Sequence, residues 1–139
     1  MDNTLLAFFF GVLIVGILLI AVISLSKRGP ASLDIERYRS QWLAIEAQLK
    51  RDEVSSYHLA VLNADKLLDK ALKERGFKGE TMGERMKAAK EVWSNANAAW
   101  GAHKLRNQIA HEHDVRVSYD DARRALGSFK QALKDVGAI

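Results

Sequence analysis

The sequence contains no cysteine and only one proline, and both absences narrow what the chain can be. Without cysteine there are no disulfides and no thiolate metal ligands, a composition that suits the cytoplasm. Pro30 is the only proline, so the chain after it can form helices without a proline kink. A glycine-rich phosphate loop, a paired-carboxylate site and a Ser/His/Asp arrangement are also missing, so several common enzyme classes have no support.

Charged side chains are missing from residues 3–26, which sets this segment apart from the rest of the chain. Residues 5–25 are almost wholly Leu, Ile, Val, Phe, Ala and Gly. As a helix rising 1.5 Å per residue they would span about 31 Å, close to one hydrocarbon core. We expect residues 1–28 to be a transmembrane anchor that contacts the lipid bilayer through residues 5–25.

A signal peptide is the competing interpretation of this apolar segment. It would require a basic start, a shorter apolar region and a small-residue cleavage site. Only Asp2 is charged before the run, which favours an uncleaved anchor. Lys27 and Arg28 follow the run, and the positive-inside tendency places that end in the cytoplasm. We therefore expect a single-pass protein with its N-terminus outside and its C-terminal domain cytoplasmic.

The rest of the chain predicts an all-α bundle. Residues 27–139 hold all 21 basic residues and 16 of the 17 acidic ones, a net charge of +5. That excess can attract phosphate or an anionic leaflet, although mixed-sign helical surfaces often reach it by chance. Apolar side chains recur at three- and four-residue steps without strand-like alternation. We expect a linker over residues 29–32 and about five helices with short loops over residues 33–139.

Capping residues and apolar stripes predict where these five helices begin and end. The candidate caps are Ser32 or Asp34, Asp52, Thr81 with Glu84, Ser94, and Ser118 with Asp121. The expected ends are Lys50, Arg75 before Gly76, the residues before Ser94, His111 and Val136. Side chains expected to face the core include Tyr38, Trp42, Ile45, Leu59, Leu68, Met86, Trp93, Phe129 and Leu133.

The most informative stretch is Arg106-Asn107-Gln108-Ile109-Ala110-His111, at the end of the predicted fourth helix. It joins a permanently charged guanidinium to an imidazole, the side chain best suited to moving protons near neutral pH. Metal-free RNA cleavage needs both, because protons must leave the 2′-hydroxyl and reach the leaving oxygen while the phosphorane gains charge. Arg106 and His111 are about 140° apart around a regular helix. They would meet through long side chains, a frayed helix end or a partner protomer.

The segment from about Leu33 to Val136 resembles the HEPN superfamily of small helical bundles. The resemblance rests on Arg106-Asn107-x-x-x-His111, which is similar to the family's arginine and histidine motif with a polar residue after the arginine. It implies a metal-independent, cofactor-free endoribonuclease that acts as a homodimer, with the motif helices facing each other across a cleft. Arg106 would hold the scissile phosphate, His111 would move protons, and Asn107 would orient either the phosphate or the histidine. A toxin-like role with an antitoxin or other protein partner would fit such a domain.

Two further residues are supporting candidates for this site. His103 extends the line of Asn107 and His111 at four-residue steps along the helix. Asp65 lies in an apolar part of the second helix and could orient a histidine or arginine of a neighbouring helix. Its neighbours Lys66 and Asp69 belong to a mixed-charge stretch, however, which favours a solvated surface position for Asp65.

A structural role for the motif is the main alternative. Arg106 would then only pair with Glu112 or Asp114, and His111 would only cap the end of its helix. The chain would be a non-catalytic, membrane-tethered module with the same fold that binds a protein or RNA.

Metal binding and base stacking are both less favoured by the sequence. The spacing of the potential ligands is not that of a His-Glu-x-x-His site, so no metal is expected at His103, His111, Glu112, His113 and Asp114. Trp42, Trp93 and Trp100 lie among apolar helix positions, which favours core packing over base stacking.

Overall fold

The computed structural model describes residues 2–26 and 32–139, and the predicted topology signal Lys27-Arg28 lies outside these ranges, as does most of the linker. The chain divides into two compact units, Met1–Ala31 and Ser32–Ile139. Every regular element in the described residues is a helix, which confirms the all-α class. The helices are α1 (Asn3–Ser26), α2 (Ile35–Gln48), α3 (Val54–Glu74), α4 (Met82–Ala88), α5 (Ala96–His111) and α6 (Tyr119–Asp135).

The first unit consists of α1, which is long and apolar enough to cross a membrane. Its segment Asn3–Leu25 has a mean hydropathy of 3.2, and none of its most apolar window is buried. The helix is apolar all round, so it has no polar face of the kind that a surface helix of a soluble domain presents to water. A membrane anchor and a signal sequence both fit a helix of this length and composition near the N-terminus.

Replacing Leu18 with arginine tests whether α1 is an anchor. Leu18 lies within the exposed apolar stretch, and an arginine at the centre of a membrane helix costs about 2.5 to 3.5 kcal/mol on insertion scales. We expect Leu18→Arg to lower the fraction of protein that resists alkaline extraction from membranes. Leu18→Ala, which adds no charge, should fractionate as the parent does. Unchanged extraction of Leu18→Arg would contradict the anchor.

The second unit is built from α2 to α6, and three of these five helices, α2, α4 and α6, begin with a cap that the sequence predicts. Asp34 and Asn95 cap α2 and α5 through their side chains, and full capping boxes open α4 and α6. The predicted Asp52 cap is wrong, because α3 starts at Val54 after Glu53, which makes no side-chain cap. The predicted Ser94 cap is also wrong, because α5 starts one residue later and Asn95 caps it. Gly76 has a φ of +87°, a backbone conformation that glycine adopts without steric cost, and it follows the end of α3.

The core of this unit forms around α3, which packs against α2, α4, α5 and α6. Fully buried side chains from three helices meet there: Tyr38, Val61, Leu68, Leu72, Phe129 and Leu133. Trp42 is buried as predicted, and Trp93 and Trp100 are half-buried against the core. Two local predictions are wrong: Leu59 is half-exposed, and α4 ends at Ala88, which leaves Trp93 in the connection to α5.

Candidate functional site

Asp65 is a buried carboxylate on the packed side of α3. Only 2% of the residue is exposed, and its neighbour Ala64 is fully buried. Its Oδ1 lies 2.8 Å from Nδ1 of His103, and its Oδ2 lies 3.2 Å from Nε of Arg106. Both partners belong to α5. The expectation of a solvated Asp65 is therefore wrong, because two groups of a neighbouring helix contact it in the interior.

Four side chains form a closed ring between α3 and α5, which we call the polar ring: Asp65, His103, Asn107 and Arg106. Nδ2 of Asn107 donates to Nε2 of His103 at 3.3 Å, and Nη1 of Arg106 donates to Oδ1 of Asn107 at 2.9 Å. The carboxylate of Asp65 accepts a hydrogen bond from Nδ1 of His103, and the amide of Asn107 donates one to its Nε2. These roles fit a neutral imidazole with its proton on Nδ1.

The spacing on α5 explains which motif residues enter the ring. Positions 103, 106 and 107 are three and four residues apart, so they share one face of the helix, which here meets α3. His111 is the last residue of α5 and is exposed. Among the described residues it makes no hydrogen bond or ion pair, so the structure groups Arg106 and Asn107 with His103 and leaves His111 outside.

The acid that pairs with Arg106 is not one of the two expected from the sequence. Glu112 and Asp114 are exposed, and neither pairs with Arg106. Glu112 occupies the C-cap of α5 and donates its backbone N–H to the carbonyl of Gln108. The suggested cap by His111 is likewise not formed by a side-chain hydrogen bond in the described residues.

The Arg106 guanidinium is buried on one side and open on the other. Its Nε is shielded from solvent, and its contact with Asp65 is an ion pair whose N–H is not aligned for a hydrogen bond. The side chain as a whole is 36% exposed, against 3% for Asp65. Nη2 has no acceptor among the described residues. The arrangement therefore fixes a cation at the surface and leaves part of its donor fork available to an external anion.

A second, partly buried ion pair lies one turn along α3 from Asp65. Nε of Arg85 on α4 contacts Oδ1 of Asp69 at 2.7 Å, and its Nη1 donates to the carbonyl of Gly79 at 2.6 Å. Burial raises the pKa of Asp69, but the hydrogen bonds and charges of Arg85 and Lys73 outweigh it and hold that pKa below its ordinary value. The pair connects α3 to α4. Sequence reasoning missed it, although Asp69 follows Asp65 at a four-residue step and so repeats its face.

A groove of about 1250 Å³ lies between α3, α4 and α5, and all four members of the polar ring line it. Its wall also includes Trp100, whose ring meets that of His103 edge-on with centroids 6.1 Å apart. No group of three or more acidic or histidine side chains among the described residues is placed to hold a metal ion. The polar ring presents a fixed cation, an amide and one imidazole, that of His103, to this groove.

Comparisons of the chain with family models, with curated proteins and with solved structures find no match. The function of the groove and the polar ring must therefore follow from their own geometry and charge.

Proposed function

We propose that this chain is a membrane-anchored, HEPN-like domain that cleaves RNA without a metal ion. The 2′-hydroxyl would attack the adjacent phosphorus, giving a 2′,3′-cyclic phosphate on one fragment and a free 5′-hydroxyl on the other. The observation that carries the proposal is the polar ring, which holds the Arg106 guanidinium at the surface. The exposed His111 follows five residues later on the same helix.

In this proposal Arg106 binds the scissile phosphate. Asp65 and Asn107 fix its guanidinium before substrate arrives, so little reorganisation is needed when charge builds on the phosphorane. Nη2, which has no protein acceptor in the described residues, is the donor left for a phosphate oxygen. Asn107 thus contacts the arginine and His103, whereas the resemblance implies that it orients the phosphate or His111.

His111 is proposed to move the protons. It is exposed and has no partner in the described residues, whereas His103 is buried and has both ring nitrogens engaged. Cleavage requires a base for the 2′-hydroxyl and an acid for the leaving oxygen. One protomer supplies a single exposed motif histidine, so we propose a homodimer in which two copies of His111 share these tasks across a cleft.

The proposed location follows from α1. A bilayer-spanning α1 would hold the bundle on the cytoplasmic side with the N-terminus outside, and it would restrict cleavage to RNA near that membrane. Such restriction suits a toxin-like or defence nuclease held in check by a protein partner.

A non-catalytic, membrane-tethered module that binds protein or RNA is the second candidate. The ion pair between Arg106 and Asp65 favours it, because a purely structural arginine would make the same contact. In that case the polar ring only fastens α5 to α3.

A cleavage assay on the full chain in neutral nanodiscs distinguishes the two candidates. With mixed RNA and EDTA, we expect the parent to release fragments that end in 2′,3′-cyclic phosphate. Arg106→Ala should cut the rate by about 10²- to 10³-fold, the loss typical of removing one preorganised donor. Arg124→Ala, which removes an exposed arginine of α6, controls for the loss of a positive charge and should leave the rate unchanged. Intact RNA with a folded parent would favour the non-catalytic module, and full activity of Arg106→Ala would contradict the proposed role of Arg106.

A further inference from the structure

The groove between α3, α4 and α5 carries a formal net charge of +1, because five cations line it against four carboxylates: Lys66, Arg85, Lys87, Lys104 and Arg106 against Asp65, Asp69, Glu80 and Glu84. Asp65 pairs with His103 and Arg106, and Asp69 pairs with Arg85 and Lys73. The third acid, Glu84, accepts backbone N–H groups in the capping box of α4, and these hydrogen bonds lower its pKa. Glu80 is the one lining carboxylate without a partner in the described residues.

Three lysines line this groove, one from each helix that borders it: Lys66 on α3, Lys87 on α4 and Lys104 on α5. All three are exposed, and none forms an ion pair with a described residue. We call them the groove lysines. Because they come from three helices and line a concave surface, their charges converge on the groove and are open to an anion from outside.

The size of the groove favours an extended ligand over a small enclosed one. Its volume of about 1250 Å³ is above the range of roughly 300 to 1000 Å³ usual for small-molecule pockets. Trp100 adds a half-buried aromatic surface to a lining that is otherwise mostly polar. A binding site for single-stranded nucleic acid has two parts: cations that follow the phosphate backbone, and an aromatic surface on which a base can stack.

We propose that this groove binds a single-stranded segment of RNA, with the groove lysines on its phosphates and Trp100 against a base. The inference rests on the proposed function, for which it supplies the path of the substrate, because Arg106 and Asn107 line the same groove. RNA is favoured over an anionic membrane because Asn63 and Asn107, which also line the groove, are half-buried, whereas the groove lysines are exposed. A flexible strand can enter such a groove, whereas a flat leaflet reaches only its rim.

The test measures binding separately from cleavage. The probe is a fluorescein-labelled oligouridine of about 12 nucleotides, within the range of single-strand sites. Its riboses are 2′-O-methylated, so that attack by the 2′-hydroxyl is impossible. Fluorescence anisotropy is recorded with the full chain in neutral nanodiscs and EDTA. The variant K66Q/K87Q/K104Q should bind about tenfold more weakly or worse at physiological salt, and its slope of log Kd against log salt should fall by about 2.

The matched control is K78Q/K90Q/K134Q, which removes the same charge from exposed lysines that do not line the groove. It should keep most of the affinity of the parent. Equal weakening in both triple variants, or no binding by the parent, would overturn the proposal. A groove variant that loses affinity for phosphatidylserine vesicles and not for RNA would also overturn it, in favour of a membrane surface. Groove-dependent binding without any RNA cleavage would support this inference while contradicting the nuclease.

Discussion

Replacing Asp65 with alanine should lower the free energy of unfolding by about 3 kcal/mol, the low end of the range for breaking a buried ion pair. The carboxylate is almost fully buried and faces two basic side chains, so its removal leaves Nδ1 of His103 and the shielded Nε of Arg106 without a partner. The low end applies because Arg106 is partly exposed and water screens its share of the interaction.

Chemical denaturation of the full chain in nanodiscs, followed by circular dichroism, measures this loss. Asp114→Ala removes an exposed acid without an ion pair in the described residues, so it should change stability by no more than about 0.5 kcal/mol. Asp65→Asn keeps the size of the side chain and should still destabilise, because the charge is what holds Arg106. If Asp65→Ala were as stable as the parent, the polar ring would not be what joins α5 to α3.

Replacing His111 with glutamine should have the opposite profile, a large loss of cleavage without loss of stability. The expected fall in rate is about 10²- to 10⁴-fold, the usual contribution of a general acid or base. Stability should change by less than about 0.5 kcal/mol, because the exposed side chain makes no contact in the described residues that the variant would lose.

The matched control for His111 is His113→Gln. His113 is an exposed histidine in the adjacent turn, so the two variants remove the same chemistry two residues apart. We expect His113→Gln to cleave RNA at the rate of the parent in the assay with EDTA. Full activity of His111→Gln would contradict the proton-transfer role, and loss of activity in both variants would indicate a general effect of the turn.

The helices and most of their caps were predictable because their determinants are local. The capping boxes at Thr81 and Ser118 involve side chains three residues apart, and such patterns act within a single turn. The incorrect predictions concern positions at which tertiary packing, and not the local sequence, determined the outcome. α3 begins after Glu53 without the Asp52 cap, and Leu59 lies on the open side of that helix.

The polar ring was only partly predictable because its closure depends on contacts that are distant in sequence. The grouping of His103 with Asn107 follows from their four-residue spacing on one helix. Asp65 lies 38 residues before His103, and nothing in its mixed-charge neighbourhood indicates that α5 will cover it. A buried carboxylate is tolerated only where partners compensate it, and those partners become evident once the helices are packed.

If α1, which is apolar on all sides, spans a bilayer as we propose, it would change how two bundles meet. Two copies that share a bilayer search for each other in a plane, at a local concentration far above that of the same chains dispersed in solution. A contact between bundles that is too weak to hold a dimer in dilute solution could then be sufficient at the membrane. Diffusion within the plane of the membrane, as much as the area of the interface, would then determine how often two copies of His111 come together.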